Sequence, residues 1–398
     1  MRHLILLLIL FAAPAGTLRA AGVPSPTAGA GVRAEASAGA GVGACAAAPA
    51  AAEAAENNTA PQATAAEAVR FTGRALEGAD GSLAFDWSGS HFTFRFEGTR
   101  CTMHASDTRR NYYNVFVDGI LRGKATTEGP CREILLAEGL SAGEHTVLVQ
   151  KRTEAEQGRT TLYGVSTDGR LLPPPAARER LIEFIGDSHT CGYGTEGRSV
   201  TEPFTPETEN CDLAWGCLLA RWFDADYTLI AHSGQGVVRN WGIREERSEV
   251  TMRERFTRTF DMEATPAWDF SRYRPDIVVI KLGTNDFSTG TPSEEEFRAS
   301  FGTLYERLRS AYGAEVPILY VVPQDCRAYY DYLCRIMAER GDAKLQVMQH
   351  ETALFNGTDD LGAGYHPALG GQRKMAVAAM PYIATLTGWE MPFGEMLR

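Results

Sequence analysis

The 398-residue chain has no run of basic residues, and its formal net charge is −11. That balance disfavours nucleic acid and anionic membrane surfaces as partners and suits a neutral polymer. Beyond the first thirteen residues no apolar stretch is long enough for a membrane helix. Cys-x-x-Cys pairs and Cys/His clusters with zinc-ligand spacing are also missing, so no zinc site is expected. Aromatic residues are absent from 21 to 68, a stretch dominated by Ala, Gly, Pro, Thr and Glu. Such a segment buries too little apolar area to offset its ordering entropy and is expected to be a disordered spacer. Asn57-Asn58-Thr59 within it fits a glycosylation sequon, most simply by chance.

The segment before the spacer, 1–20, reads as an export leader. Arg2 and His3 open it, Leu4 to Ala13 are apolar, and small residues follow. The mature protein is therefore expected outside the cytoplasm, secreted or in the periplasm or envelope. An exported chain permits disulfides, and of the eight cysteines Cys101 and Cys131 fall in one expected domain and can pair. Val42-Gly43-Ala44-Cys45 faintly resembles a lipid-attachment box but sits too far from the apolar stretch.

Hydrophobic residues are 44% and charged residues 22% of the chain, which is ordinary for a globular protein, and the length suggests more than one domain. From 69 to 172, short runs alternate apolar and polar residues: 82–87, 92–96, 113–117, 145–150 and 161–165. Turn pairs such as Asp80-Gly81, Asp118-Gly119 and Asp168-Gly169 punctuate them. This predicts an antiparallel β-sandwich of the jelly-roll kind. Pro173-Pro174-Pro175 stiffens a linker over 173–180. From 181 to 398 the pattern changes to strands at 181–187, 227–232, 276–282, 316–322 and about 345–350. Helices alternate with them at 212–224, 293–312, about 326–340 and 368–387. This predicts an α/β domain, a parallel sheet with helices on both faces.

The first of these strands, Leu181-Ile182-Glu183-Phe184-Ile185, runs into Gly186-Asp187-Ser188. Open α/β sheets place their sites at the carboxyl ends of strands. Ser188 is the candidate nucleophile, and a serine hydroxyl needs an adjacent base. His366, in Tyr365-His366-Pro367 just before the last helix, is the candidate base; His232, His189 and His350 are rivals. Oxyanion donors are expected from the Asn285 amide in Gly283-Thr284-Asn285-Asp286, from the Gly236 N–H in Gly234-Gln235-Gly236, and from Ser188's own N–H. Each part alone has a plainer reading as a cap or turn. The ordered set of four, three just after strands, outweighs it.

This ordered set resembles the SGNH (GDSL-type) hydrolases, whose catalytic domain is a three-layer α/β/α fold. More narrowly, the chain is similar to carbohydrate esterase family 2. Ile185 to Gly194, Ser233 to Asn240 and Trp268-Asp269-Phe270 carry that likeness in the α/β domain. Tyr112 to Gly119 and Gly143 to Val147 carry it in the sandwich, so it covers about 69–390. The resemblance implies cofactor-free removal of O-acetyl groups from xylan- or mannan-type polysaccharides. Ser188, His366, Gly236 and Asn285 would be the catalytic set, and an acetylated polysaccharide or oligosaccharide the partner of an expected monomer. Trp241, Tyr193, Tyr365 and Asp286 are expected to bind substrate, with Phe287 as a further candidate and Trp215 as core. Arg239 and Asn240 would bind sugar hydroxyls or cap a helix.

One departure stands out. SGNH enzymes usually carry a carboxylate three residues before the histidine, and many relatives of the narrower family two before; here those positions are Ala363 and Gly364. Asp359 or Asp360 must fold back, or a backbone carbonyl must hold His366, and a dyad is favoured. Two other readings remain: a general short-chain or lipase-like acyl esterase, and a catalytically degenerate carbohydrate-binding protein. Against the first, no broad apolar stretch beside the site blocks suits a long acyl chain.

Overall fold

The computed structural model of the chain describes residues 62–394. The expected leader, most of the spacer, Cys45 and the Asn57 sequon lie outside the described residues. The spacer ends earlier than its composition suggests. Ala63–Thr64 pairs with Val165 and Gly164, and the short helix Ala65–Ala68 buries Ala65 and Ala68. Alanines that cannot build a core by themselves have here been added to one.

The amino-terminal half is one ten-stranded antiparallel sheet curled around a core that includes Phe85, Phe92, Phe94, Phe96, Tyr113 and Val149. Its spine is a long hairpin, Cys101–Val117 and Ile120–Ala137. Asp118 and Gly119 turn it with both φ positive, as two-residue hairpins require. Sequence pattern captures only 113–117 of this hairpin. Asp107 to Arg110 interrupt the first strand's alternation, and the second strand is largely exposed. The pairing of Cys101 with Cys131 is not made, and both are free thiols. The hairpin register explains why. Cys101 opposes Ala137 while Arg132 opposes Ala105, which puts Cys131 about five residues, roughly 17 Å, along the ladder. A disulfide needs Cα atoms within about 7 Å.

In the carboxy-terminal half five parallel strands line up in the order second, first, third, fourth, fifth: Asp226–Ala231, Leu181–Gly186, Ile277–Lys281, Ile318–Val322 and Leu345–Gln349. Their side chains alternate between two cores, as period-two geometry demands. Ile185, Val278, Ile280 and Tyr320 meet the helices Glu294–Tyr312 and Arg327–Arg340 on one face. Phe184, Ile277, Val279 and Leu319 meet Trp215–Trp222 and Leu369–Thr387 on the other. This is the expected three-layer arrangement. The longest crossover helix starts where its capping box predicts. Glu296 N–H donates to Ser293 Oγ at 3.2 Å and Ser293 N–H to Glu296 Oε2 at 2.9 Å, a device worth about 1 kcal/mol. Trp215 is fully buried, as expected for a core residue.

The two halves are joined by buried polar contacts. Trp87 Nε1 donates to Thr259 O at 2.9 Å, and the buried Arg74 donates to Arg258 O at 2.9 Å and lies 3.6 Å from Glu183. The described residues 62–394 fall in one compact unit.

Candidate active site

Gly186 ends the first strand, and Asp187 caps a single helical turn, Ser188–Cys191, by accepting the His189 N–H at 3.1 Å. Ser188 is the first residue of that turn, so its N–H has no intrahelical acceptor. The Asp187 carboxylate is fully buried and is met by Lys281 Nζ at 3.1 and 3.2 Å. Lys281 also donates to His189 Nδ1 at 2.8 Å and to Thr284 Oγ1 at 3.2 Å. The turn carrying Ser188 is thus tied to the end of the third strand by a buried ion pair.

The structure brings Ser188 and His366 together: Ser188 Oγ and His366 Nε2 are 2.8 Å apart. The other ring nitrogen, Nδ1, lies 2.8 Å from the Gly364 carbonyl oxygen. A carbonyl only accepts, so Nδ1 carries the proton and Nε2 presents its lone pair to the serine hydroxyl. That bond needs the chain to double back within two residues. Gly364 (φ 61, ψ 30) and Tyr365 (φ 61) do this in the left-handed region, and His366 returns to the extended backbone its following proline imposes. Main-chain bonds clamp the loop: Ala363 N–H to Gly194 O at 3.1 Å, Gly364 N–H to Glu202 O at 3.0 Å, and Tyr365 N–H to Val200 O at 3.2 Å. Asp360 is turned elsewhere, 2.6 Å from Lys374 Nζ. Burial pulls the His366 pKa below its usual value, partly offset by the Gly364 bond and Asp187, which keeps the imidazole a free base.

Two of the rival histidines, His232 and His189, are otherwise engaged. Burial alone would lower the His232 pKa, but Asp261, 2.5 Å from Nδ1, and Glu156 push it up to about 10, so it is an imidazolium. His189 lies edge-on to His366, with ring centroids 5.6 Å apart, and its Nδ1 is occupied by Lys281. Burial and the Lys281 charge push His350 down to about 4.

Gly236 and Asn285 are held side by side by the loop after the second strand. Asn285 Nδ2 donates one bond, 2.8 Å, to Gln235 O, leaving its second N–H. The Gly236 N–H makes only a long 3.3 Å contact with Asn240 Oδ1. A side chain at 236 is excluded, because its Cβ would lie 2.1 Å from Arg239 O and 2.4 Å from Asp286 Oδ2.

That clash corrects one expectation. Asp286 does not face substrate; it is fully buried and accepts the N–H groups of Val237 (3.1 Å), Val238 (2.6 Å) and Arg239 (3.1 Å). Burial pushes its carboxyl up to about 6 against those bonds. It shapes the loop that presents Gly236. Arg239 and Asn240 neither bind an open cleft nor cap a helix. Arg239 Nε donates to Asp286 O at 2.8 Å, and Asn240 Nδ2 to Val250 O at 2.9 Å. Tyr193 is half-buried, stacked on Phe204 at 3.7 Å with its ring 4.3 Å from that of His366. Of the aromatic candidates, Trp241 (69% exposed) and Tyr365 (67% exposed) are the most open to solvent. Phe287 is partly buried against the core.

Glu154, Cys191 and Glu209, all buried, bring potential ligand atoms within 4.8 Å of one another. Glu154 Oε2 already accepts the Ser233 N–H at 2.8 Å. Burial and Glu154 hold the Glu209 pKa far above the usual carboxylate value, and Glu209 Oε2 accepts the Glu154 N–H at 3.2 Å.

Comparison with known proteins bears on this geometry. Residues 71–175 match the family model described as carbohydrate esterase 2 N-terminal, and residues 184–375 the GDSL-like lipase/acylhydrolase family. A family two carbohydrate esterase from Clostridium thermocellum, solved with cellohexaose, superposes with a TM-score of 0.74 at 30% identity over 81% of this chain and 100% of that one. The chain belongs to carbohydrate esterase family 2. Among curated family 2 relatives, the cellulase/esterase CelE of Acetivibrio thermocellus is 32% identical over 76% of this chain, which spans 38% of that protein's length. An acetylxylan esterase/glucomannan deacetylase of Cellvibrio japonicus is 29% identical over 74% of this chain and 83% of its own length.

Sequence reasoning missed three contributors to this family 2 site. Lys281 was visible as a cation inside the apolar run 277–282, a placement rare without a buried partner. Glu154 gave no signal, since it comes from the other half of the chain. The Gly364 carbonyl carries no side-chain signature at all.

Proposed function

We propose that this protein is a serine esterase that removes O-acetyl groups from plant cell-wall polysaccharides of the xylan or mannan type. The observation that carries the reading is the Ser188–His366 contact of 2.8 Å with Gly364 O behind the imidazole. In this reading Ser188 Oγ attacks the acetyl carbonyl while His366 Nε2 takes its proton. The oxyanion is met by the N–H groups of Ser188 and Gly236 and the free N–H of Asn285, each worth about 3 kcal/mol. His366 then protonates the leaving sugar oxygen, and water, deprotonated by the same nitrogen, releases acetate. The imidazolium formed at each step is stabilised by a carbonyl dipole in place of a carboxylate. No cofactor takes part.

Trp241 and Tyr365 are proposed as the sugar-stacking residues, their exposed faces matching the C–H surface of a pyranose. The division into a leader (1–20), a spacer, a jelly-roll sandwich to 172, a linker at 173–180 and a catalytic domain over 181–398 is part of the proposal. So are export to the cell exterior or envelope and a monomeric state. The sandwich is proposed to brace the site through Glu154.

Acetate release from acetylated xylan and glucomannan, measured for the full chain and for Ser188→Ala, tests the reading. Release that disappears with the serine is expected. Equal release from both proteins removes Ser188 from the mechanism, and none from a folded wild type overturns the esterase and leaves a glycan-binding protein.

A further inference from the structure

A cavity of about 490 Å3 opens over the carboxyl ends of the first, third, fourth and fifth parallel strands. Ser188, Asn285 and His366 do not themselves line it, but their immediate sequence neighbours His189, Thr284 and Tyr365 do, beside the polar Lys281, Gln324, Asp325 and His350. Its lining is predominantly apolar, with Phe287, Leu354 and Phe355 among its walls. These come from separate loops, which is why no single apolar stretch announces the cavity in the sequence. An acetyl methyl is about the size of one water, roughly 30 Å3, so acetate leaves most of this space unfilled.

The two products of ester cleavage make different demands. The sugar takes its proton from His366 Nε2 and departs past the exposed Trp241 and Tyr365. The acyl group stays covalently on Ser188 through the intermediate and must be housed by the protein. A sub-surface cavity at the serine's neighbours therefore fits the acyl side. Phe287, Phe355, Tyr365 and the His189 imidazole line it with rings, and offset or edge-to-face contacts favour a flat aromatic guest over a linear chain.

We propose that the same dyad hydrolyses esters of arylacrylic (cinnamoyl-type) acids, the aromatic acyl group occupying this cavity. The proposal rests on Ser188 and His366 acting as described above. Ser188 Oγ bonds to the cinnamoyl carbonyl carbon, and the bond to the alcohol oxygen breaks with the proton passing through His366. Water then releases the aromatic acid.

The test holds the leaving group constant. Full-length protein is assayed on 4-nitrophenyl acetate, octanoate and cinnamate, with Ser188→Ala as the blank. We expect kcat/KM for cinnamate within tenfold of acetate and above octanoate. Leu354→Trp, which fills the cavity, should lower the cinnamate value at least tenfold and leave acetate within twofold; Cys326→Phe serves if the first variant does not fold. Cinnamate below a thousandth of acetate, octanoate faster than cinnamate, or equal losses for acetate and cinnamate in the filled variant would overturn the aromatic pocket while leaving the esterase standing. Absence of Ser188-dependent acetate hydrolysis would instead overturn the esterase reading.

Discussion

The turn carrying Ser188 and the loop carrying His366 meet at 2.8 Å but are held by opposite means. Ser188 is fixed by side chains: Asp187 caps its turn, and Lys281 pairs with Asp187 in a fully buried setting. His366 is fixed by main chain: its own loop's Gly364 carbonyl and three backbone bonds to 194–202. A side-chain clamp concentrates the energy in two residues that one substitution can break. A main-chain clamp spreads it over groups that most substitutions leave intact, and is vulnerable where the backbone conformation needs glycine.

The largest effect should come from the contact itself. His366→Ala removes the shared base, and kcat is expected to fall by on the order of 10⁴ with folding retained, read from acetate release and thermal unfolding. A smaller but compound loss is expected for Lys281→Met. It strands the Asp187 carboxylate, and breaking a buried pair costs about 3–5 kcal/mol, so Tm drops and kcat falls at least tenfold. The pH profile supplies a sign. His366 must be neutral to act, and its lowered pKa puts the acid limb of wild-type kcat/KM below pH 6.5. Lys281 holds that pKa down and Asp187 holds it up, so removing the lysine moves the limb to higher pH. A limb that stays put would show that Lys281 acts through packing alone.

On the main-chain side, Gly364→Ala forces an L residue into the left-handed region at a cost of about 1–2 kcal/mol. The nearest atoms to the new Cβ are no closer than 3.5 Å, so the strain is conformational. About a tenfold loss in kcat with little change in KM is expected; a KM effect alone would show that the loop shapes substrate binding instead. The smallest effect belongs to Asp360→Asn. Its carboxylate pairs with Lys374 and not with His366, so kcat should hold within twofold while Tm slips a few degrees. A large loss in kcat would restore a carboxylate to the catalytic set.

Those contrasts follow what was legible in the chain. The parallel strands were readable to within two residues because strands buried on both faces are continuous apolar runs. Ser188, Gly236, Asn285 and His366 were readable because each sits at a strand end or before a helix in fixed order. The hairpin 101–137 was not, because its second strand is mostly exposed and rich in glycine and charge. Asp286 was misread as a substrate contact because residue type and nearness to a motif do not say which way a side chain turns.

Sequence by itself determined the α/β alternation, the order of the site blocks and the lack of a carboxylate before His366, since these depend on local pattern. Tertiary structure alone decided what replaces that carboxylate, which aromatics stay open, that Lys281 and Glu154 support the site, and that four loops enclose a cavity beside it. Those depend on distances between residues far apart in the chain, and local propensity carries no information about such distances.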